Sequence, residues 1–300
     1  MVTPRERPEL VLGCDVLVIG AGVAGVCAAI QAARLGSDVI LAEMDAVLGG
    51  NSGPNLGVHV SGAHSFHPYA GETGIIDELE AHAAAHHAKT RSYTMHYNIS
   101  RLWEAELAAA LDAAGVRVLK RHYACEPLMD GDRIAAVRLE DLGAFRSVLV
   151  RVGSCVVDAS GDGQVAYLAG ADYARGREGA DVYGERSAPA QGDETTLGTS
   201  ITALVRKADR PVPFTPPPGT PPWEPGYGLG GYDAQGSCLY AHSAWHPDAD
   251  QCFLWHTESG GERDTIGDEH AIYEELLKQL YCVWDHIKNG AHADEARNWE

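Results

Sequence analysis

The first part of the chain alternates short apolar runs with stretches of helical periodicity, a pattern typical of a parallel β-sheet covered by helices. Strands are predicted at 15–20, 38–43 and 116–119. Helices are predicted at 26–35, 75–87 and 99–114. Gly36 and Gly115 stand where the first and last of these helices should end. We therefore expect an α/β domain with a Rossmann-like parallel sheet.

A second pattern predicts a small antiparallel meander inserted at about 124–152. Two apolar segments flank the hairpin signal Asp130-Gly131-Asp132, and a third segment follows near 147–152. A buried strand is then expected at 155–159, followed by a short helix at 164–169.

The composition changes from about residue 176. A proline-rich stretch at 210–231 indicates surface or polyproline-like backbone. Strands are predicted at 195–206, 237–242 and 251–256, and an amphipathic helix at 268–288. We expect two domains, a nucleotide-binding domain at 1–175 and a mixed α+β domain at 176–300.

The most specific motif is DVLVIGAGVAG at 15–25, with an acidic residue at Glu43. Gly20 permits the tight turn, Gly22 lets the backbone approach a pyrophosphate, and Gly25 lets the helix pack closely on the strand. The helix N-terminus offers free N–H groups to the phosphates. Glu43 would accept hydrogen bonds from a ribose hydroxyl. The motif predicts a dinucleotide site that could serve NAD or FAD.

Charge and cysteine content narrow the class of protein. The net charge of −19 and the pI near 5.0 argue against nucleic acid or an anionic membrane surface as a partner. The seven cysteines include no CxxC pair, so we expect reduced thiols and no metal site. No apolar run is long enough to span a bilayer, which favours a cytoplasmic protein.

Two further motifs favour FAD. Gly49-Gly50-Asn51-Ser52 follows the strand that carries Glu43, and VVDASGDG occupies 156–163. Together with the first motif, they resemble the FAD-dependent oxidoreductases whose flavin domains are built like those of glutathione reductase and fumarate reductase. The segment LWHTESGGERDTIGDEHAIYEELLKQLYCVWDHIKN at 254–289 is similar to the same family.

The resemblance implies roles for particular residues. Gly20, Gly22 and Gly25 would line the FAD pyrophosphate, and Glu43 would hold the adenosine ribose. The other expected cofactor contacts are Gly50, Asn51 and Ser52 near the ribityl chain or pyrophosphate, Ala124 beside the adenine, and Gly161 and Asp162 closing the site. Covalent relatives carry a histidine shortly after the double glycine, where this chain has Asn51, so noncovalent FAD is expected.

The resemblance also predicts that something else completes the site. Family members usually continue beyond the position of Glu300 into a segment that returns to the flavin domain. We therefore expect a further segment or a partner chain to complete the flavin site.

Candidate chemistry falls in two segments. His59 and His64 lie in the glycine-rich loop after Gly50, and His256 and Glu258 lie in the WHTESGG segment. A histidine there could act as a general base while hydride moves between a small polar substrate and the flavin. Each of these residues could instead be a plain loop residue.

Arg206 could bind a substrate carboxylate, or could form a surface salt bridge. For the whole chain, an NAD-linked dehydrogenase and a noncatalytic nucleotide-binding fragment stay open as alternatives.

Overall fold

The computed structural model describes residues 9–58, 60, 73–86, 101–223, 251–259, 261–290 and 292–300. The chain forms two compact units, Met1–Tyr173 and Ala174–Glu300. His59, His64 and the strand predicted at 237–242 lie outside the described residues.

The first unit is built on a six-stranded sheet in the order β3-β2-β1-β6-β5-β4. The strands are β1 (Glu9–Ile19), β2 (Val39–Glu43), β3 (Arg117–Lys120), β4 (His122–Asp130), β5 (Arg133–Asp141) and β6 (Arg146–Asp158). β1 is parallel to both β2 and β6, and β2 is parallel to β3. β4, β5 and β6 form the antiparallel meander. The α/β class with an inserted meander is confirmed.

The two strands predicted at 147–152 and 155–159 are one continuous strand, β6. The reason is that β1 begins well before its apolar run. Its first half, from Glu9 to Cys14, pairs with Ser147–Val152, and its second half pairs with Cys155–Asp158 after a register shift. Because β1 supplies hydrogen bonds on both sides of Gly153, the glycine does not end the strand.

Three helices cover one face of the sheet, and a short fourth helix packs on the other face together with residues of the meander. They are α1 (Val23–Arg34), α2 (Ile75–His86), α3 (Arg101–Ala113) and α4 (Gln164–Leu168). Alternate residues of β1 point to opposite faces: Val18 packs in a cluster with α1, α2 and α3, while Leu17 packs with residues of the meander. The strand run is therefore apolar throughout, as expected for a sheet covered on both faces.

The second unit contains α5 (Ala180–Tyr183), β7 (Ser200–Arg206), β8 (Gln251–Glu258) and α6 (Glu269–Asn289). β7 and β8 are antiparallel. β7 starts five residues later than predicted. The apolar stripe of α6 packs with both strands and with Trp299. No helix in the described part of the chain is both long and apolar enough to cross a membrane.

Candidate cofactor-binding site

A cavity of about 500 Å³ opens in the first unit where β1, β2 and β6 end. Ligands of α/β sheets bind at this carboxyl edge. The lining residues come from two glycine-rich turns, the end of β2, the start of β4 and the loop after β6. The first turn begins at Gly20 and leads into α1, and the second comprises Gly49–Ser52.

The first glycine turn is built so that only one of its glycines faces open space. A Cβ on Gly20 would lie 2.3 Å from the Ala159 carbonyl oxygen, and one on Gly25 would lie 1.9 Å from the Gly20 carbonyl oxygen. A Cβ on Gly22 would meet no atom within 4 Å. Gly20 and Gly25 therefore allow the close packing of turn, helix and strand. Gly22 keeps the cavity clear at the N-terminus of α1, where it is the residue that precedes the helix.

The second glycine turn is attached to the first. Gly49 has a φ of 111°, in the left-handed region, and precedes a short 3₁₀ helix over Gly50–Ser52. The Gly49 N–H donates to the Ala21 carbonyl at 2.8 Å. A Cβ on Gly50 would lie 3.1 Å from the Gly22 Cα, so the two turns approach at van der Waals distance. Residues of both turns thus line the same cavity.

Glu43 stands at the end of β2 and is only 7% exposed. Its Oε2 accepts the Ala21 N–H at 2.6 Å, and its Oε1 accepts the Asp45 N–H at 2.8 Å. Each carboxylate oxygen can accept a further hydrogen bond, so the group can hold a ribose hydroxyl as well. Asp45 also lines the cavity and accepts a hydrogen bond from the Asn55 amide at 3.0 Å. This end of the cavity therefore carries two carboxylates.

The opposite wall joins β4 to the DASGDG loop. The Gln164 side-chain amide donates to the Ala124 carbonyl at 2.6 Å, which fixes the start of α4 against β4. Asp158 holds the loop itself, because its carboxylate accepts hydrogen bonds from the Ser160 hydroxyl and from the N–H groups of Ser160 and Ala166. Burial raises the pKa of Asp158, but these hydrogen bonds outweigh it and leave the pKa below its usual value.

These residues fit FAD. The open space at Gly22 and the N-terminus of α1 suit a pyrophosphate, since unpaired N–H groups and the helix dipole attract anions. None of the described lining residues is Lys or Arg, so uncharged donors, the backbone N–H groups and polar side chains such as Asn51, would supply the phosphate contacts. Gly20, Gly22, Gly50, Asn51 and Ser52 would hold the diphosphate region. Glu43 would hold the ribose, and the backbone at Ala124 and Gly161 would flank the ends of the cofactor.

Most of the cofactor residues predicted from the sequence meet in this cavity. Those that line it are Gly20, Gly22, Glu43, Gly50, Asn51, Ser52, Ala124 and Gly161. Gly25 does not line it and packs the helix on the turn instead. Asp162 is exposed in the same loop as Gly161 but is not part of the lining.

Of the predicted substrate and catalytic residues, the structure describes Arg206, His256 and Glu258, all in the second unit. Arg206 is 70% exposed, and both its Nε and its Nη2 donate to the Glu300 carboxylate at 2.8 and 2.6 Å. Of the two roles predicted for Arg206, substrate binding and a surface salt bridge, the structure shows the salt bridge. His256 lies on β8, and Glu258 is exposed at the end of that strand.

Some lining residues were not predicted, notably Asp45, His122 and Gln164. Asp45 follows Glu43 by two residues at the end of a strand, a spacing that could have suggested a second acidic contact. His122 precedes Ala124 by two residues on β4, so both side chains project to one face. Its Nδ1 lies 2.8 Å from the Lys120 carbonyl. Gln164 could not have been found from the sequence, because its contact is with a residue forty positions earlier.

The fold and the cavity together define a nucleotide-binding flavoprotein domain, and comparison with known proteins specifies the family. The sequence profile of the FAD dependent oxidoreductases matches residues 15–299. The chain belongs to this family, and FAD is its cofactor.

Individual relatives match over shorter regions. Digoxin reductase of Eggerthella lenta is 45% identical over 65 residues, which are 20% of this chain and 12% of that protein. The myxobacterial chondrochloren halogenase is 18% identical, with a TM-score of 0.44 over 66% of this chain and 45% of that one. A geranylgeranyl bacteriochlorophyll reductase-like protein of Thermoplasma acidophilum is 19% identical, with a TM-score of 0.39 over 67% and 48%. The matched regions span less than half of each of these three proteins.

Proposed function

We propose that this FAD-dependent oxidoreductase transfers a hydride between a small polar substrate and noncovalently bound FAD. The observation that carries the proposal is the cavity that both glycine turns, Glu43 and Ala124 line together. Bound FAD supplies the redox chemistry, by taking or giving a hydride at N5 of its ring. The chain's own residues bind the nucleotide portion and orient the ring.

Noncovalent attachment is supported by Asn51. This residue lines the cavity at the position where the resemblance would place the histidine of covalent relatives. A carboxamide lacks the nucleophilic ring nitrogen that a histidyl–flavin link needs. The test is acid precipitation of the purified yellow protein. We expect the flavin to stay in the supernatant and to be identified as FAD; flavin retained in the pellet would contradict noncovalent binding.

A purified protein whose spectrum lacks flavin, and which gains none from added FAD, would contradict the proposal as a whole.

The proposed catalytic groups are His59, His64, His256 and Glu258. The backbone of β8 supports His256: Ile201 pairs with Thr257 and Ala203 with Leu254, so two residues, 255 and 256, oppose Thr202 alone. Such bulges re-aim side chains and occur often next to active sites. A histidine held there would accept or return the substrate proton as hydride moves. Arg206 is proposed to bind a substrate carboxylate by exchanging its present partner, Glu300.

Single-turnover flavin reduction under anaerobic conditions tests these roles. A panel of small hydroxy, amino and keto compounds is screened in both directions, since the relative from Eggerthella lenta is called a reductase. With a substrate in hand, His59→Ala, His64→Ala, His256→Ala and Glu258→Gln are compared. Loss of the true base should slow reduction by roughly 10²–10⁴-fold while flavin stays bound.

His82→Ala is the matched control, because His82 is exposed on α2 and pairs with Glu106. Wild-type reduction rates in all four test variants would refute these assignments and leave the FAD site intact.

Two further points belong to the proposal. The flavin domain is placed at 1–175 and the substrate domain at 176–300, and a partner chain is proposed to contribute to the flavin site. Co-purification and mass measurement of the native complex test the latter.

A further inference from the structure

We infer that Trp103, on α3, is a positioning residue for FAD, because it sets the geometry of both glycine turns through a buried chain of hydrogen bonds. Trp103 does not line the cavity itself. The inference rests on FAD as the cofactor and not on the reaction proposed for it.

The chain of hydrogen bonds runs from Trp103 on α3 to the carboxylate of Glu43. The Trp103 indole N–H donates to the Ser52 hydroxyl at 3.1 Å, and that hydroxyl donates to the Gly49 carbonyl at 2.8 Å. The Gly49 N–H donates to the Ala21 carbonyl at 2.8 Å. The Ala21 N–H donates to Glu43 Oε2 at 2.6 Å. Each member thus holds the next, across two turns that are separate in sequence.

The chain is buried throughout, which makes each hydrogen bond directional and its loss costly. Trp103 is 1% exposed, Ser52 6%, Ala21 0% and Glu43 7%. In such surroundings neighbouring hydrogen bonds polarise one another, and an unpaired group cannot turn to water. The Ser52 hydroxyl hydrogen is already committed to Gly49, so this side chain acts on the turn whether or not it also meets the cofactor.

The second glycine turn needs this support. Gly49 and Gly50 both have positive φ, and glycine loses more conformational freedom on ordering than any other residue. A turn left free in the flavin-free protein would have to be ordered on binding, at the expense of affinity. Trp103 and Ser52 order it beforehand.

The residue after Trp103 provides a second attachment. Glu104 accepts the Leu48 N–H at 3.3 Å and the Lys120 ammonium at 2.6 Å. Two consecutive residues of α3 therefore hold the second glycine turn: Trp103 contacts Ser52, and Glu104 contacts Leu48. The turn is thus fixed to α3 by two separate hydrogen bonds and not by a single contact.

The test is FAD titration of the full chain after removal of flavin, with flavin fluorescence as the signal. Trp103→Phe keeps most of the ring and removes the N–H; Ser52→Ala removes the hydroxyl. We expect each to raise the FAD dissociation constant about tenfold, as the loss of one buried hydrogen bond in the site would. The double variant should be little weaker than either single one, because both changes break the same chain. Trp284→Phe, at a buried tryptophan of the second unit, should leave the constant unchanged.

Three results would overturn the inference. The first is a Trp103→Phe protein whose dissociation constant for FAD lies within twofold of wild type, whatever its melting temperature. The second is full additivity in the double variant, as expected if Ser52 acted only by touching FAD. If Trp103→Phe does not fold, amide exchange at Gly49 and Gly50 in the flavin-free Ser52→Ala protein decides. Faster exchange than in wild type supports the chain, and unchanged exchange is the third overturning result. A wild-type protein that binds no FAD would instead refute the cofactor itself, before any variant is compared.

Discussion

At the scale of single residues, the three glycines of the first turn have two different roles. Gly20 and Gly25 allow close packing of the turn, and Gly22 keeps the cavity open. Gly22→Ala should leave the flavin-free protein as stable as wild type, because its φ of −61° suits any residue and its Cβ would meet no atom within 4 Å. It should still weaken FAD binding, and Gly22→Val should weaken it more, since the side chain enters the space for the pyrophosphate. Thermal unfolding of the flavin-free proteins and FAD titration together measure both effects.

Gly25→Ala is the matched comparison and should behave in the opposite way. Its Cβ would lie 1.9 Å from the Gly20 carbonyl oxygen, so the helix has to move away from the turn. We expect a lower melting temperature even without flavin. Equal stability of the two alanine variants would contradict this division of roles.

Glu43 supports the first glycine turn and is expected to contact the cofactor as well. Glu43→Ala should cost ~1.5–3 kcal/mol of FAD affinity, because a charged acceptor is lost from the ribose and the Ala21 N–H is left without its partner. Isothermal titration measures the change. Glu126→Ala, at an exposed carboxylate of β4 that pairs with Arg138, is the control. FAD affinity unchanged in the Glu43 variant would remove this residue from the site.

At the scale of elements, the loop after β6 should make the first unit sensitive to acid. The pKa of Asp158 is lowered in the folded protein. The ionised Asp158 side chain therefore stabilises the folded protein fully at a pH above its pKa in the unfolded protein, near 3.8. This stabilisation is lost as the pH falls through the lower pKa that Asp158 has in the folded protein. The difference in unfolding free energy between wild type and Asp158→Asn should shrink over that range. Urea titrations at a series of pH values measure it, with Asp162→Asn in the same loop as control. A difference that is independent of pH would contradict the assignment.

In the second unit, Lys288 ties the last residues to α6. It is 6% exposed, and its ammonium donates to the carbonyls of Ala296 and Trp299 at 2.7 Å each. Lys288→Met should cost ~1–3 kcal/mol of stability, because buried carbonyls lose their donor. Lys278→Met, at an exposed position of the same helix, should cost little. Thermal unfolding compares the two, and equal melting temperatures would refute the role of Lys288.

The elements also show what could be read from sequence. The βαβ unit was predictable because its glycines, apolar runs and Glu43 are local features, each with a fixed spacing. The continuity of β6 was not, because it depends on pairing with Glu9–Cys14, far away in the chain. The support of Ser52 by Trp103 was hidden for the same reason, because the two residues lie 51 positions apart in the chain.

At the scale of the whole molecule, FAD should stabilise the protein by mass action. At a free concentration of a hundred times the dissociation constant, the expected gain is about 2.7 kcal/mol. Chemical denaturation with increasing FAD measures it. FMN, which lacks the adenosine half, should stabilise much less, because Glu43 and Ala124 would then have no ligand group to hold. Equal stabilisation by the two flavins would contradict the placement of the adenosine half in this cavity.

The ladder between β1 and β6 also determines when the site can arise during synthesis. β1 leaves the ribosome before the other strands of the sheet, yet one of its two partners, β6, is the last strand of the sheet to be made. Until Asp158 has emerged, one edge of the apolar run Val16–Ile19 has no neighbouring strand, and such an edge invites pairing with other chains. Contacts this distant in sequence also form slowly. The nascent chain therefore carries a central strand with one unpaired edge through most of the translation of this unit, and capture of the flavin must wait until its final loop, ASGDG, has been added.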